Sequence, residues 1–177
     1  MLVALIKMKK LFEFVETICF ALLLLTTIFL FFVRVIQVNG TSMNNTLKGG
    51  EKLLISNLSR SYDYGDIVVT DANNKEGKIL VKRVIGLGGD HIKIVYSENS
   101  VYVNGRKIDE PYLPEKMKED LPDFEIDVPE GYLFIMGDNR NVSVDSRNKN
   151  VGPVSEGNIL GKAFFRITPF SKFGLIR

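Results

Sequence analysis

A serine becomes a nucleophile only beside a base, and this chain offers few bases. It contains one histidine, His91. A Ser-His-Asp arrangement is therefore open only through that residue, and a histidine-built metal site is disfavoured. The remaining candidate is a lysine able to lose its proton near neutral pH. Gly40-Thr41-Ser42-Met43 places a hydroxyl just after an apolar N-terminal run. Ile79-Leu80-Val81-Lys82-Arg83-Val84-Ile85-Gly86 places a lysine among branched apolar residues. Period-two alternation puts Leu80, Lys82 and Val84 on one face and Val81, Arg83 and Ile85 on the other. A desolvated lysine falls several units below its free pKa of ~10.4. The plain alternatives are a turn or cap role for Ser42 and a strand lysine with its tip in water for Lys82. Because both faces carry apolar residues, periodicity does not say whether Lys82 or Arg83 points inward.

A third segment, Gly137-Asp138-Asn139-Arg140-Asn141-Val142-Ser143-Val144-Asp145-Ser146-Arg147, gathers carboxylates, guanidiniums and hydroxyls after a strand. Its plain reading is a solvated loop. Two Asp and two Arg so close can also lock the loop through bidentate pairs. A loop locked in that way can hold the Ser143 hydroxyl against a lysine amine and orient it.

These segments need elements to position them. Residues 18–33 read ICFALLLLTTIFLFFV without a charge, and apolar residues extend the run on both sides. That is enough for a helix across a ~30 Å hydrocarbon core, where lipid permits no other backbone. Lys7, Lys9 and Lys10 precede it, so the positive-inside tendency keeps the N-terminus cytoplasmic. The expected organisation is a cytoplasmic N-terminus at 1–11, a transmembrane helix at 12–37 and an external β-rich domain at 38–177, with a cap-like excursion at about 96–128. Ser42 lies about nine residues past Val33, roughly 30 Å even if fully extended, so the site is expected near the membrane surface.

After Gly40 the apolar residues alternate over short stretches separated by Gly, Asn, Asp and Pro. Strands are expected at 52–55, 66–70, 79–85, 91–96, 132–136 and 161–167, with a hairpin at 101–108 turning on Asn104-Gly105. The proline-bounded stretch 114–122 reads as a surface excursion with a short helical turn. The class is mainly β: a transmembrane helix followed by a coiled antiparallel sheet or partly open barrel. A formal net charge of +2 gives no reason to expect nucleic acid. The lone cysteine, Cys19, lies in the apolar run, which leaves no internal disulfide or cysteine-built zinc site in the external domain.

Taken together, the segments resemble bacterial type I signal peptidases, the Ser-Lys enzymes that remove signal peptides from exported proteins. Ser42-Met43 with Thr46-Leu47 resembles the serine box, and Gly65-Asp66-Ile67-Val68-Val69 the next. Lys82-Arg83-Val84-Ile85-Gly86-Leu87 with Gly89-Asp90 resembles the lysine box. Gly137–Arg140 with Ser143, Asp145, Ser146 and Arg147 resembles the last. Four boxes in order behind one anchor carry the resemblance, and the small size and single anchor are similar to the Gram-positive branch.

The resemblance implies Ser42 as nucleophile and Lys82, rather than Arg83, as base. It implies a hydrogen bond from Ser143 to the lysine amine, with Asp145 and Arg147 in a supporting ion pair. Gly40 stands where some members carry a serine hydroxyl in the oxyanion hole, which leaves the main-chain N–H of Ser42 as the chief donor. Asn45 and Gly88 replace two prolines of the common pattern. Val38, Met43, Leu47, Leu80 and Val81 are the expected walls of the substrate site. The implied partners are signal peptides of exported preproteins and membrane lipid; no metal or organic cofactor is implied. The implied location is the plasma membrane, single-pass, with the catalytic domain outside. The alternative within the resemblance is a specialised or inactive relative acting in pilus or surface-protein processing or assembly.

Overall fold

The computed structural model describes residues 2–71 and 79–176. Two compact units divide at residue 34. The first is a helix, α1, Leu2–Phe32. Its stretch Ile6–Phe32 has mean hydropathy 2.3 and is long and apolar enough to cross a membrane. The hydroxyls of Thr17, Thr26 and Thr27 donate to carbonyls one turn back, those of Glu13, Leu22 and Leu23. No threonine of this apolar stretch therefore needs a partner from outside the helix.

The helix stops earlier than residue 37. Val33–Gln37 is a strand, β1, and its residues Val33, Val35 and Ile36 are β-branched, which favours the pleat. The expected helix boundary at 37 is corrected accordingly. The chain continues through β2 Lys52–Ser56, β3 Ile67–Thr70, β4 Leu80–Gly86, β5 His91–Val95, β6 Ser100–Val103, β7 Arg106–Lys107, β8 Phe124–Asp127, β9 Tyr132–Met136, β10 Val154–Ser155, β11 Ile159–Thr168 and β12 Gly174–Leu175. The larger sheet runs β1-β2-β11-β3-β4-β9-β10, with β12 also on β11; the smaller runs β7-β6-β5-β8. The strand pairings whose registers are resolved are all antiparallel. This is the expected mainly-β class.

The hairpin turn at 104–105 has φ of 52° at Asn104 and 76° at Gly105, both positive as a type I′ turn requires. No helix forms in 114–122; Met117 instead plugs the core beneath the smaller sheet. The strand β8, not among the strands expected from the sequence, alternates apolar and acidic residues over only four positions and is held by pairing with β5.

Period two explains how the continuous apolar runs are used. In β9, Phe134 and Met136 face a core with Ile92, Ile94 and Met117, while Leu133 and Ile135 face another with Val68, Val84 and Val154. In β4, Ile85 joins the first core and Val84 the second. Both strands are buried on two faces, as near-continuous apolar strands must be. A third core holds Val38, Met43, Leu47, Leu53 and Ile67 around the first turn of the domain.

Candidate active site

Ser42 follows β1 in a tight turn. Asn44 N donates to Thr41 O at 3.1 Å and Leu47 N to Met43 O at 2.8 Å. Met43 and Leu47 are drawn into the third core and pin the turn from below. From the other side Asn139 N donates to Ser42 O at 3.0 Å, and its side-chain amide to Thr41 O at 3.3 Å. The turn and the post-β9 loop are thereby tied together across nearly a hundred residues of sequence.

Lys82 and Arg83 are both 2% exposed, on opposite faces of β4, and they meet opposite fates. Arg83 binds Asp138 through two bonds, Nε to Oδ1 at 2.9 Å and Nη2 to Oδ2 at 2.7 Å, and donates to the Gly65 carbonyl at 2.8 Å. Its charge is fully matched. The Lys82 amine instead donates to Ser42 Oγ at 2.8 Å and to the Val81 carbonyl at 3.0 Å. Among the described residues no carboxylate lies within ion-pair distance of it. Burial pushes the amine down to about 8, against the raising influence of the Asp145 and Asp138 charges; Arg147 adds to the lowering. At pH 7 an amine of pKa about 8 is roughly one-tenth neutral, some hundreds of times more than one at its free value.

The post-β9 loop is locked, but by different pairs than its sequence suggests. Only Asp145–Arg147 closes within it, with Nε to Oδ1 and Nη2 to Oδ2 both at 2.9 Å. Asp138 is claimed by Arg83, and Arg140 by Glu110. Burial pushes the Asp145 carboxyl up, but the Arg147 hydrogen bonds and charge and the Gly137 N–H outweigh it and hold it below the ordinary range. Asp145 Oδ2 accepts from Gly137 N at 3.0 Å, which orients the start of the loop.

Ser143 departs from the expectation. Its hydroxyl is buried without a hydrogen-bond partner. It lies close to Asp145 but outside hydrogen-bond geometry. The expected bond to the lysine amine is absent: the Lys82 amine is turned to Ser42 and Val81, and the Ser143 hydroxyl packs against the Gly137 backbone. A Cβ on Gly137 would sit 2.2 Å from Ser143 Oγ and 2.4 Å from the Ser42 carbonyl oxygen. Only glycine lets the loop approach the nucleophile turn this closely. Gly40 has φ of 85° and is exposed, with open space where a side chain would be.

Beside the pair runs a groove of about 750 Å³, lined by Ile36, Val38, Met43, Leu80 and Val81 together with Ser42 and Lys82. Four of the five expected wall residues line it. Leu47 does not: it is 0% exposed within the third core, because its place one turn after Met43 aims it inward. It is corrected to a core residue. Ile36, Gln37, Asn39 and Ile79 also line the groove. They flank the expected residues along the two chain segments, and alternation in those segments is the signal that could have found them.

The chain matches the family model described as signal peptidase, peptidase S26, over residues 11–168. It is 38% identical to Signal peptidase I of Bacillus licheniformis, over 94% of this chain and 93% of that one. It is 40% identical to Signal peptidase I U of Bacillus subtilis strain 168, over 84% and 83%. It is 36% identical to Signal peptidase IB of Staphylococcus aureus, over 93% of each. Among solved structures it is similar to a signal peptidase I from Enterococcus faecalis V583, at 29% identity and TM-score 0.50, over 58% of this chain and 96% of that one.

Proposed function

The chain belongs to the peptidase S26 family of bacterial type I signal peptidases, and from that premise we propose that it is a membrane-anchored serine endopeptidase that removes signal peptides from exported preproteins. In this reading Ser42 is the nucleophile and Lys82 the general base. The observation that carries it is the 2.8 Å contact between the Lys82 amine and Ser42 Oγ, made by a buried lysine with no carboxylate partner among the described residues.

Neutral Lys82 accepts the Ser42 proton as Oγ attacks the scissile carbonyl. The tetrahedral intermediate collapses to an acyl-enzyme, and Lys82 returns the proton to the leaving amine. The amine, neutral again, then activates the hydrolytic water. Asp145, held by Arg147, fixes the loop that closes on the pair and tempers the Lys82 charge. Ser143, buried nearby with an unpartnered hydroxyl, packs against Gly137 at the start of the loop. Developing negative charge on the carbonyl oxygen is met by the Ser42 main-chain N–H, presented by the Gly40-Thr41 turn.

The groove takes the peptide before the cut in extended form, adding main-chain hydrogen bonds along a strand edge. Val38, Met43, Leu80 and Val81 make its walls apolar, and membership of the family implies pockets that accept small side chains before the cut. The helix α1 anchors the chain once, with its lysine-bearing end in the cytoplasm and the β domain outside.

The test is cleavage of a signal-peptide-bearing preprotein by the full chain in lipid vesicles, with the product mass locating the cut. Wild type should release the mature protein after a small residue, and Ser42→Ala should leave the precursor intact. Cleavage by Ser42→Ala at the wild-type rate, or none by wild type, would overturn the reading.

A further inference from the structure

Behind the Ser42–Lys82 pair, two buried ion pairs meet on one tyrosine. Arg83, the residue after Lys82, holds Asp138. Arg140, two residues along the loop, is gripped by both carboxylate oxygens of Glu110, with side chains only 1% and 6% exposed. Tyr112 joins the two pairs. Its ring lies 4.0 Å from the Arg83 guanidinium carbon, a cation–π contact, and its hydroxyl donates to Glu110 Oε1 at 2.8 Å. The same excursion grips the loop a second time: Asn141 donates to Glu115 and to the Lys116 carbonyl and accepts from Lys118 N. Met117, between these contacts, is buried in the core and anchors the excursion itself.

We propose that Glu110 and Tyr112 are positioning residues for the reaction, latching the excursion onto both arms of the site, β4 and the 137–147 loop, and keeping the loop closed against Lys82. The inference rests on the Ser42–Lys82 reading. Neither residue touches the reacting atoms; both act through Arg83 and Arg140. Arg140 also donates to the Gly137 carbonyl at 3.0 Å, and its own carbonyl accepts from Arg147 at 2.8 Å. The latch therefore reaches the glycine that abuts Ser42 and the arginine that holds Asp145.

The Lys82 amine faces Ser42, the Val81 carbonyl, the Asp145 and Asp138 carboxylates and the Arg147 guanidinium, with burial the dominant influence. A loosened loop readmits water, and the ammonium form regains its hydration. Each unit by which the amine then rises lowers its neutral fraction at pH 7 about tenfold. A role confined to folding would instead lower the amount of active protein and leave the pH dependence where it was.

The test is the pH dependence of kcat/KM for preprotein cleavage by the full chain in vesicles, comparing wild type with Glu110→Gln, Tyr112→Leu and Tyr112→Phe. The acid-limb midpoint should move up by about one unit in Glu110→Gln and Tyr112→Leu, with kcat falling more than KM changes. Tyr112→Phe keeps the ring on Arg83 and should move the midpoint by less than half as much. Should Glu110→Gln not fold, Tyr112→Leu still decides, because it leaves all four charges paired. An unmoved midpoint in Tyr112→Leu, whatever its activity, refutes the latch. A wild-type profile without an acid limb would strike the Ser42–Lys82 reading itself, before any variant is compared.

Discussion

Replacing Lys82 by Met should make the protein more stable at neutral pH while abolishing its activity. The side chain is 2% exposed, and its amine falls from 10.5 to about 8 on folding, chiefly through burial. A lysine whose folded pKa is lowered binds its proton more weakly in the folded state. Folding therefore carries a penalty that is fully present below pH 8 and vanishes as pH rises through the unfolded value of 10.5. The gap between the two values corresponds to about 3 kcal/mol at pH 7. Met fills nearly the same volume without a charge. It forfeits the bonds to Ser42 and Val81, worth about 1 kcal/mol net. The variant should thus gain about 2 kcal/mol at pH 7, and above pH 10.5 it should be the less stable protein by about 1 kcal/mol. Urea unfolding of the detergent-solubilised chain, followed by far-UV circular dichroism at both pH values, measures the difference. A Lys82→Met protein less stable than wild type at pH 7, or a difference independent of pH, would refute a lysine stored against its own charge.

Gly137→Ala should cut kcat/KM at least 100-fold, because the new methyl would lie 2.4 Å from the Ser42 carbonyl oxygen and push the nucleophile turn from its place; displacements of about 1 Å carry losses of that order. Urea unfolding of the same variant should show a loss of about 1–3 kcal/mol from overpacking. Asp145→Asn removes a charge that favours the Lys82 ammonium and leaves Arg147 unpaired beside it. The amine should fall further, so the acid limb of kcat/KM moves to lower pH. Breaking the buried pair should at the same time cost about 3–5 kcal/mol of stability, read by urea unfolding.

The elements most visible in the sequence were those with strict local rules. An uncharged run of this length has to be helical in lipid, and Asn104-Gly105 admits little but a type I′ turn. What period-two alternation left open at β4 was open for a physical reason: both faces of that strand are buried, and both cations find an interior place. Their difference lies in partners distant in sequence. Asp138 takes Arg83 across 55 residues and Glu110 takes Arg140 across 30, and neither pairing has a local signature. A charged loop read by itself suggested pairs inside the loop, which is true only of Asp145 and Arg147. The end of the helix at Phe32 was hidden because Val33–Gln37 is as apolar as a helix end and as β-branched as a strand; pairing with β2 decides it. The orientation of the Ser143 hydroxyl depends on packing against Gly137 that no sequence pattern encodes.

The pairing of Ser42 with a neutral Lys82 is tested most directly by kcat/KM for preprotein cleavage between pH 6 and 10, measured on wild type and Lys82→Ala in the same vesicles. Wild type should show an acid limb with its midpoint near the lowered lysine value of about 8, and Lys82→Ala should show no cleavage at any pH. Wild-type activity that titrates near the histidine range, or a Lys82→Ala protein that still cleaves, would contradict the account.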